Sequence, residues 1–338
     1  MNLRRTSGFL ILCCIAAFIL ASCALLIIDY FPAYLGQEKA VAHFSEIVKT
    51  AGLSETTELH EIYLLTVPGS GKKFVVLRVG QFMSPETLIF LDGTDLRFLR
   101  SFTNIPIGKF LTVDMGGYIV TGWNTQLVRL YPDTLEPENT PPNPSPTIDF
   151  AQFAFTAEVG SDITTYLVGI ESDCLNLIVY NNDWSSGSSY SQSNLFDSQS
   201  ITNFEYRDLF YDGTGVQLAV TNKITQESFV ISWSTLTEFV NAFSNLHFFA
   251  ENATNVVSVP RGDGQAGGLT NAGYIQLMYG YAKKTILDRR NTSTGQQELP
   301  VFTMPDNFRG RFAFFRDASA WVLYNQRDGK IHLLRPWW

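Results

Sequence analysis

Cysteine is scarce in this sequence and unevenly placed. Of four cysteines in 338 residues, Cys13, Cys14 and Cys23 fall near the N-terminus and only Cys174 lies beyond. A lone cysteine closes no intrachain disulfide, so the bulk of the chain must be held by packing. Flanked by Asp173 and by Leu175-Asn176-Leu177-Ile178, Cys174 reads as a small strand residue rather than a reactive thiol. Positive charge is also short. Past Arg4 and Arg5, 22 basic residues face 32 acidic ones, a formal net charge of −10. That excludes the basic footprint of general nucleic-acid binding. Only four histidines occur, His43, His60, His247 and His332, none at ligand spacing. No metal centre or cofactor is expected from them. A Gly-x-Ser-x-Gly elbow that would present a serine nucleophile is also missing.

One long apolar run is present, Gly8 to Ile28, with Arg4 and Arg5 before it and Asp29 after it. About 20 apolar residues suffice to cross a bilayer as a helix, and basic residues on the N-terminal side keep that end in the cytoplasm. A basic start, an apolar middle and small residues near its end are also the parts of a secretory signal. Within the run, Leu20-Ala21-Ser22-Cys23 resembles the lipobox of bacterial lipoprotein precursors. The resemblance implies that the Cys23 thiol receives a diacylglyceryl group, with acyl chains such as palmitate, and becomes the first residue after cleavage. Cys13 is not a competing site, because Leu12 stands where a small residue is needed. The alternative is an uncleaved signal-anchor helix. Either way residues 29–338 are exported and tethered, placing the protein in the bacterial cell envelope and facing the periplasm or the exterior. The expected organisation is a signal or anchor at 1–28, a stalk with an amphipathic helix at 29–57, and one domain at 58–338.

The remainder is rich in strand formers, with 26 Phe and 14 Tyr and only 17% charged residues. Gly36 to Ala51 carries Ala40, Phe44, Ile47, Val48 and Ala51 at helical spacing, with Gly52 as a stop. Beyond it, Thr235 to Phe249 is the best second helix, although its aromatics suit a strand equally. What recurs is a unit of roughly 40–55 residues, a period typical of arrays, built of strands joined by Gly/Asp turns. The units are centred on Glu61–Val67, Lys109–Asp114, Phe153–Ala157, Tyr206–Tyr211, Val256–Val259 and Arg311–Phe315 with the strands that follow each. Successive hairpins imply an all-antiparallel β architecture, and radial repetition leaves only short strand edges. The layout resembles an all-β propeller of about six blades, closed by the segment around Glu58–Val67. Two β-sandwich domains divided at the proline-rich Glu136–Pro146 are the alternative. The Ser-rich Asn181–Ser200 reads as a long loop.

Short motifs have plain structural readings. Thr66-Val67-Pro68-Gly69-Ser70-Gly71-Lys72-Lys73 departs from a phosphate loop at both ends and reads as a hairpin turn. Asp92-Gly93-Thr94-Asp95 and Asp212-Gly213-Thr214-Gly215 lack calcium-loop spacing and suit tight turns. Arg261-Gly262-Asp263, in a Gly-rich hairpin, reads as turn chemistry rather than an adhesive tripeptide. Asn252-Ala253-Thr254 and Asn291-Thr292-Ser293 fit the glycan acceptor pattern, and Trp337-Trp338 is expected to pack over the closing strand. The functional expectation is a non-catalytic binding or scaffold module, similar in layout to extracytoplasmic propeller lipoproteins. It would touch the membrane through its N-terminal lipid or helix, and protein or glycan partners at its loop faces. The alternative is an enzyme such as a glycoside hydrolase, drawing carboxylates from Asp114, Asp149 and Asp162.

Overall fold

The structure is a computed structural model. It describes residues 36–81, 86–103, 108–123, 126–139, 144, 147–181, 184, 187–244, 247–259, 266–281, 284–298, 302–303 and 310–336. Cys23 and the lipobox, Arg261-Gly262-Asp263 and Trp337-Trp338 lie outside these residues.

Six antiparallel sheets stand around a central channel as a six-bladed β-propeller. Blade one is Glu58–Thr66, Lys73–Gly80, Thr87–Asp92 and Phe98–Phe102. Blade two is Thr112–Val113, Ile119–Trp123 and Gln126–Leu130, with a bridge from Leu130 to Pro137 at its outer side. Blade three is Ala151–Val159, Asp162–Glu171, Cys174–Tyr180 and Gly187–Gln192. Blade four is Phe204–Tyr211, Val216–Asn222, Ser228–Trp233 and Asn255–Val259. Blade five is Ala266–Leu269, Tyr274–Tyr281, Lys284–Asn291 and Phe302–Thr303. Blade six is Gly310–Phe314, Trp321–Asn325 and Lys330–Pro336, completed on the outside by Gly36–His43. The first strand of each blade touches the first strand of the next, and that of blade six touches that of blade one. This closed circuit excludes two separate sandwiches.

Ring closure differs from the sequence expectation. Glu58–Thr66 is the innermost strand of blade one, and Gly36–His43 closes the ring by pairing antiparallel with Lys330–Pro336, Gly36 opposite Pro336 and His43 opposite Lys330. The helical pattern over Gly36 to Ala51 is therefore split. Ala40 and Ala42 are half-buried while Val41 and His43 are exposed, which is strand periodicity. The helix is only Phe44–Thr50, burying Phe44, Ile47 and Val48. Both readings fit alternating small residues, and the open edge of blade six decides between them.

There is no single core. Apolar residues form wedges between neighbouring blades, as each sheet buries its faces against the next. Phe74, Phe90, Ile119 and Leu130 join blades one and two, Val120, Leu167 and Tyr180 join two and three, and Val75, Val322 and Ile331 join one and six. The wedge between three and four is aromatic, with Phe155 stacked on Tyr166 at 4.9 Å between ring centroids. Leu236–Ala242 caps it as a helix, fixed by a capping box between Thr235 and Glu238. Phe239 and Phe249 pack around the buried Trp233.

A six-residue turn recurs and sets the strand spacing. Its first residue donates its N–H to the carbonyl of the sixth in Asp92–Arg97, Tyr131–Glu136, Asn222–Glu227 and Asn291–Gln296. The fifth residue takes positive φ in each: Leu96, Leu135, Gln226 and Gly295. Asp92, Asn222 and Asn291 also accept backbone N–H bonds on their side-chain oxygens. These acceptors explain Asp92-Gly93-Thr94-Asp95 and Asn291-Thr292-Ser293 as turn chemistry. The Ser-rich Asn181–Ser200 holds structure that sequence reading missed: the outer strand Gly187–Gln192 and a small hairpin of Asn194–Phe196 with Gln199–Ser200. Polar on both faces, an outer strand gives no alternation to detect.

One glycine is fixed by close approach. A Cβ on Gly169 would lie 2.0 Å from the Phe150 carbonyl oxygen, at a bulge in the pairing of the first two strands of blade three. Gly169→Ala is expected to destabilise the protein by about 1–3 kcal/mol through overpacking, read as a lower urea midpoint.

Candidate functional site

The first strands of the six blades enclose a channel of 1510 Å³. Each enters at one end of the ring, here the entry face, and turns into the second strand at the other, the turn face. Three contacts place turns from different blades at the same end. Lys73 Nζ lies 2.6 Å from Asp317 Oδ2, Lys72 Nζ donates to the Pro132 carbonyl at 2.7 Å, and Asn271 N donates to the Arg316 carbonyl at 2.8 Å. Thr66–Lys73 is thus a hairpin turn, closed by Val67 N to the Lys72 carbonyl and aided by positive φ at Gly69 and Gly71. Its two lysines tie blade one to both neighbours.

Near the middle of the channel, Arg316 makes a bidentate pair with Asp208, at 2.8 and 2.9 Å. The same guanidinium donates to the carbonyls of Leu269 and Leu209 at 3.1 and 3.2 Å, and Leu269 N donates to Asp208 at 2.7 Å. One ion pair therefore ties the first strands of blades four and five to the turn of blade six. Asp208 is presented by a bulge between Tyr206 and Asp208. Next to it, Gly268 leaves room for the Phe314 ring, which a Cβ there would approach to 2.6 Å.

Toward the entry face, Arg78 is held by Glu61 at 3.1 Å and by Glu86 at 2.5 Å, and Glu86 also meets His60 Nδ1 at 3.0 Å. Burial works against the charge on Glu86, but hydrogen bonds from Arg78 and His60 outweigh it and hold the carboxyl below the usual range. Tyr63 donates to Glu61, and its hydroxyl is pushed well above the ordinary tyrosine value, first by burial and then by the Glu61 charge. Arg207 pairs with Glu205 at 2.6 Å. Lys109, three residues before the first strand of blade two, and Arg311, near the start of that of blade six, are exposed and line the same end of the channel with no ion-pair partner among the described residues.

The expected carboxylates are not gathered here. Asp114 is buried in the turn of blade two and paired with Arg129 at 3.1 Å. Asp149 precedes the first strand of blade three and Asp162 follows it, so they stand near opposite faces. Since strands rise about 3.3 Å per residue, that is roughly 30 Å. None of the three lines the channel. Cys174 begins a strand and is half-exposed, as its neighbours indicated. Asp212 accepts from Thr214 N and Gly215 N at 2.8 Å, a turn role. Among the described residues no group of three or more His, Cys, Asp or Glu is placed to hold a metal ion, and no helix is long and apolar enough to cross a membrane. Sequence reading missed Arg78, Asp208 and Arg316. A charge inside an apolar strand, as in Phe74-Val75-Val76-Leu77-Arg78, was the available signal.

Asp317 gives an acid-dependent prediction. Burial opposes its charge, yet hydrogen bonds from Lys73 and Ser319 prevail and lower its folded pKa. Its stabilising contribution is full above the ordinary unfolded carboxylate value of about 4 and is lost as pH falls through the lower folded value. Urea midpoints of the wild type and Asp317→Asn should therefore differ at pH 7 and converge by about pH 2.

No protein-family model matches the sequence, and no curated protein matches it. Several solved structures are similar to it at low identity. Regucalcin from Agrobacterium tumefaciens, described as a calcium-binding protein, is 11% identical with a TM-score of 0.48, over 89% of this chain and 95% of that one. A protein of unknown function from Dyadobacter fermentans is 10% identical with a TM-score of 0.48, over 84% and 96%. TolB from Acinetobacter baumannii is 11% identical with a TM-score of 0.39, over 73% and 63%. Likeness of this degree assigns no activity to the chain.

Proposed function

We propose that the protein is a non-catalytic binding or scaffold module, held on the far side of the cytoplasmic membrane by its N-terminal segment, with protein or glycan partners docking at its loop faces. One observation carries the reading: Glu61, Glu205 and Asp208 in the channel wall are paired with arginines of the same wall. Carboxylates neutralised in this way brace strands, whereas a hydrolase needs two of them free and aimed at one bond. Lys109 and Arg311 remain as charges for a partner at the entry mouth. The tether follows from the lipobox, and labelling with a fatty-acid analogue that disappears in Cys23→Ala supports it. No label in either form refutes the lipid.

Binding is tested with residues 29–338 on glycan and peptide arrays. The expected result is saturable binding, weakened at least 10-fold in the Lys109→Glu/Arg311→Glu double variant at unchanged thermal midpoint, on the order of 1.4 kcal/mol. Product release from a bound glycan by the wild type would instead favour the hydrolase.

A further inference from the structure

We propose that the turn face of the propeller is the membrane-facing side, so that the entry mouth, with Lys109 and Arg311, opens away from the lipid. The inference rests on the tethered reading above and adds an orientation to it. The closing strand starts at Gly36, which pairs with Pro336, and ends at His43, which pairs with Lys330. Lys330 follows the turn after Asn325, where Phe44 N donates to the Gly329 carbonyl at 2.8 Å on the entry side. Gly36 therefore sits at the opposite end, on the turn face, beside the turn that carries Asp317.

The apolar run ends at Ile28, leaving seven residues before Gly36. Seven extended residues span at most about 25 Å, and the twelve between a lipidated Cys23 and Gly36 at most about 43 Å, so either tether would meet the ring at the turn face, where Gly36 lies. Four exposed large apolar side chains lie at the same end: Met115 and Val159 at connections from first to second strands, Tyr131 in the turn leaving the third strand of blade two, and Val256 near the start of an outer strand; Ile224, 74% exposed between the second and third strands of blade four, lies on the entry face. Asp95, Asp133, Asp162 and Asp212 also lie in turns on this face, and anionic headgroups repel them. The face accordingly stands off the lipid at the length of the stalk rather than inserting. A soluble partner then reaches the channel through the entry mouth.

The test uses the full chain in vesicles carrying a headgroup-linked acceptor dye. A donor dye is clicked to an azido amino acid at Ser70, in the turn of blade one, or at Glu55, before its first strand. Both positions are exposed, and the nine-residue strand Glu58–Thr66 between them separates the two faces by about 30 Å. Flotation with the vesicles and at least twofold greater energy transfer from position 70 than from position 55 is the expected result. Flotation with equal or reversed transfer overturns the orientation alone. A chain that does not float refutes the tether, and the orientation falls with it.

Discussion

Truncation through His43 is expected to lower the thermal midpoint by about 10 °C, whereas truncation through Leu35 leaves it unchanged. Gly36–His43 forms seven residue pairs with Lys330–Pro336. At a net 0.5–1.5 kcal/mol per hydrogen bond, the ladder contributes on the order of 5 kcal/mol, and a chain of this size loses roughly 2 °C per kcal/mol. The cut also bares a full strand edge on blade six, so the shortened protein should associate at higher concentration. Scanning calorimetry on the two truncations measures the difference. A synthetic peptide covering residues 36–43 should restore part of the lost midpoint by filling the same edge. If both truncations melt alike, the ring does not depend on this strand, and the closure described above is wrong.

Arg316→Ala is expected to cost about 1–3 kcal/mol, because it leaves the largely buried Asp208 carboxylate without its guanidinium partner. The Asp208 side chain is 14% exposed and that of Arg316 is 41% exposed. Losing the arginine leaves the carboxylate with Leu269 N as its donor among the described residues. The converse change, Asp208→Asn, keeps an acceptor for Leu269 N and leaves a guanidinium that water reaches, so about 1–2 kcal/mol is expected. The double variant should cost less than the two singles together, since the pair acts as one unit. Urea unfolding of the four proteins closes the cycle. Strict additivity would mean that the two groups do not interact and that the clamp on blades four, five and six is not held here.

The legible part of the fold was the part with period two. Strands such as Phe74–Val79, Thr165–Ile170 and Val216–Thr221 alternate or run apolar between Gly/Asp turns, so their existence and approximate bounds follow from residue order. The inner strand of blade five, Ala266–Leu269, is Ala-Gly-Gly-Leu and carries no such signal. Sequence pattern points to Val256–Val259 in its place, but that segment belongs to the outer strand of blade four. Small residues are required there because Phe314 and Asp208 crowd Gly268, and that crowding exists only once the ring is closed. The site followed the same rule: Arg78 is a charge within an apolar strand, a signal present in the sequence, but its two glutamates come from separate segments, Glu61 in the first strand of blade one and Glu86 just before the third.

Composition and order alone determined a chain dominated by β structure, with a single cysteine past Cys23, assembled from about six hairpin units behind an apolar N-terminal run. Pattern reaches that far because strand periodicity and turn chemistry are local properties of neighbouring residues. Only the tertiary structure decided which strand closes the ring, which charges meet in the channel, and at which end of the ring Gly36 lies. Those outcomes depend on edges left unpaired and on carboxylates and guanidiniums brought together from up to 108 residues apart, a balance of pairing and desolvation that no local window contains.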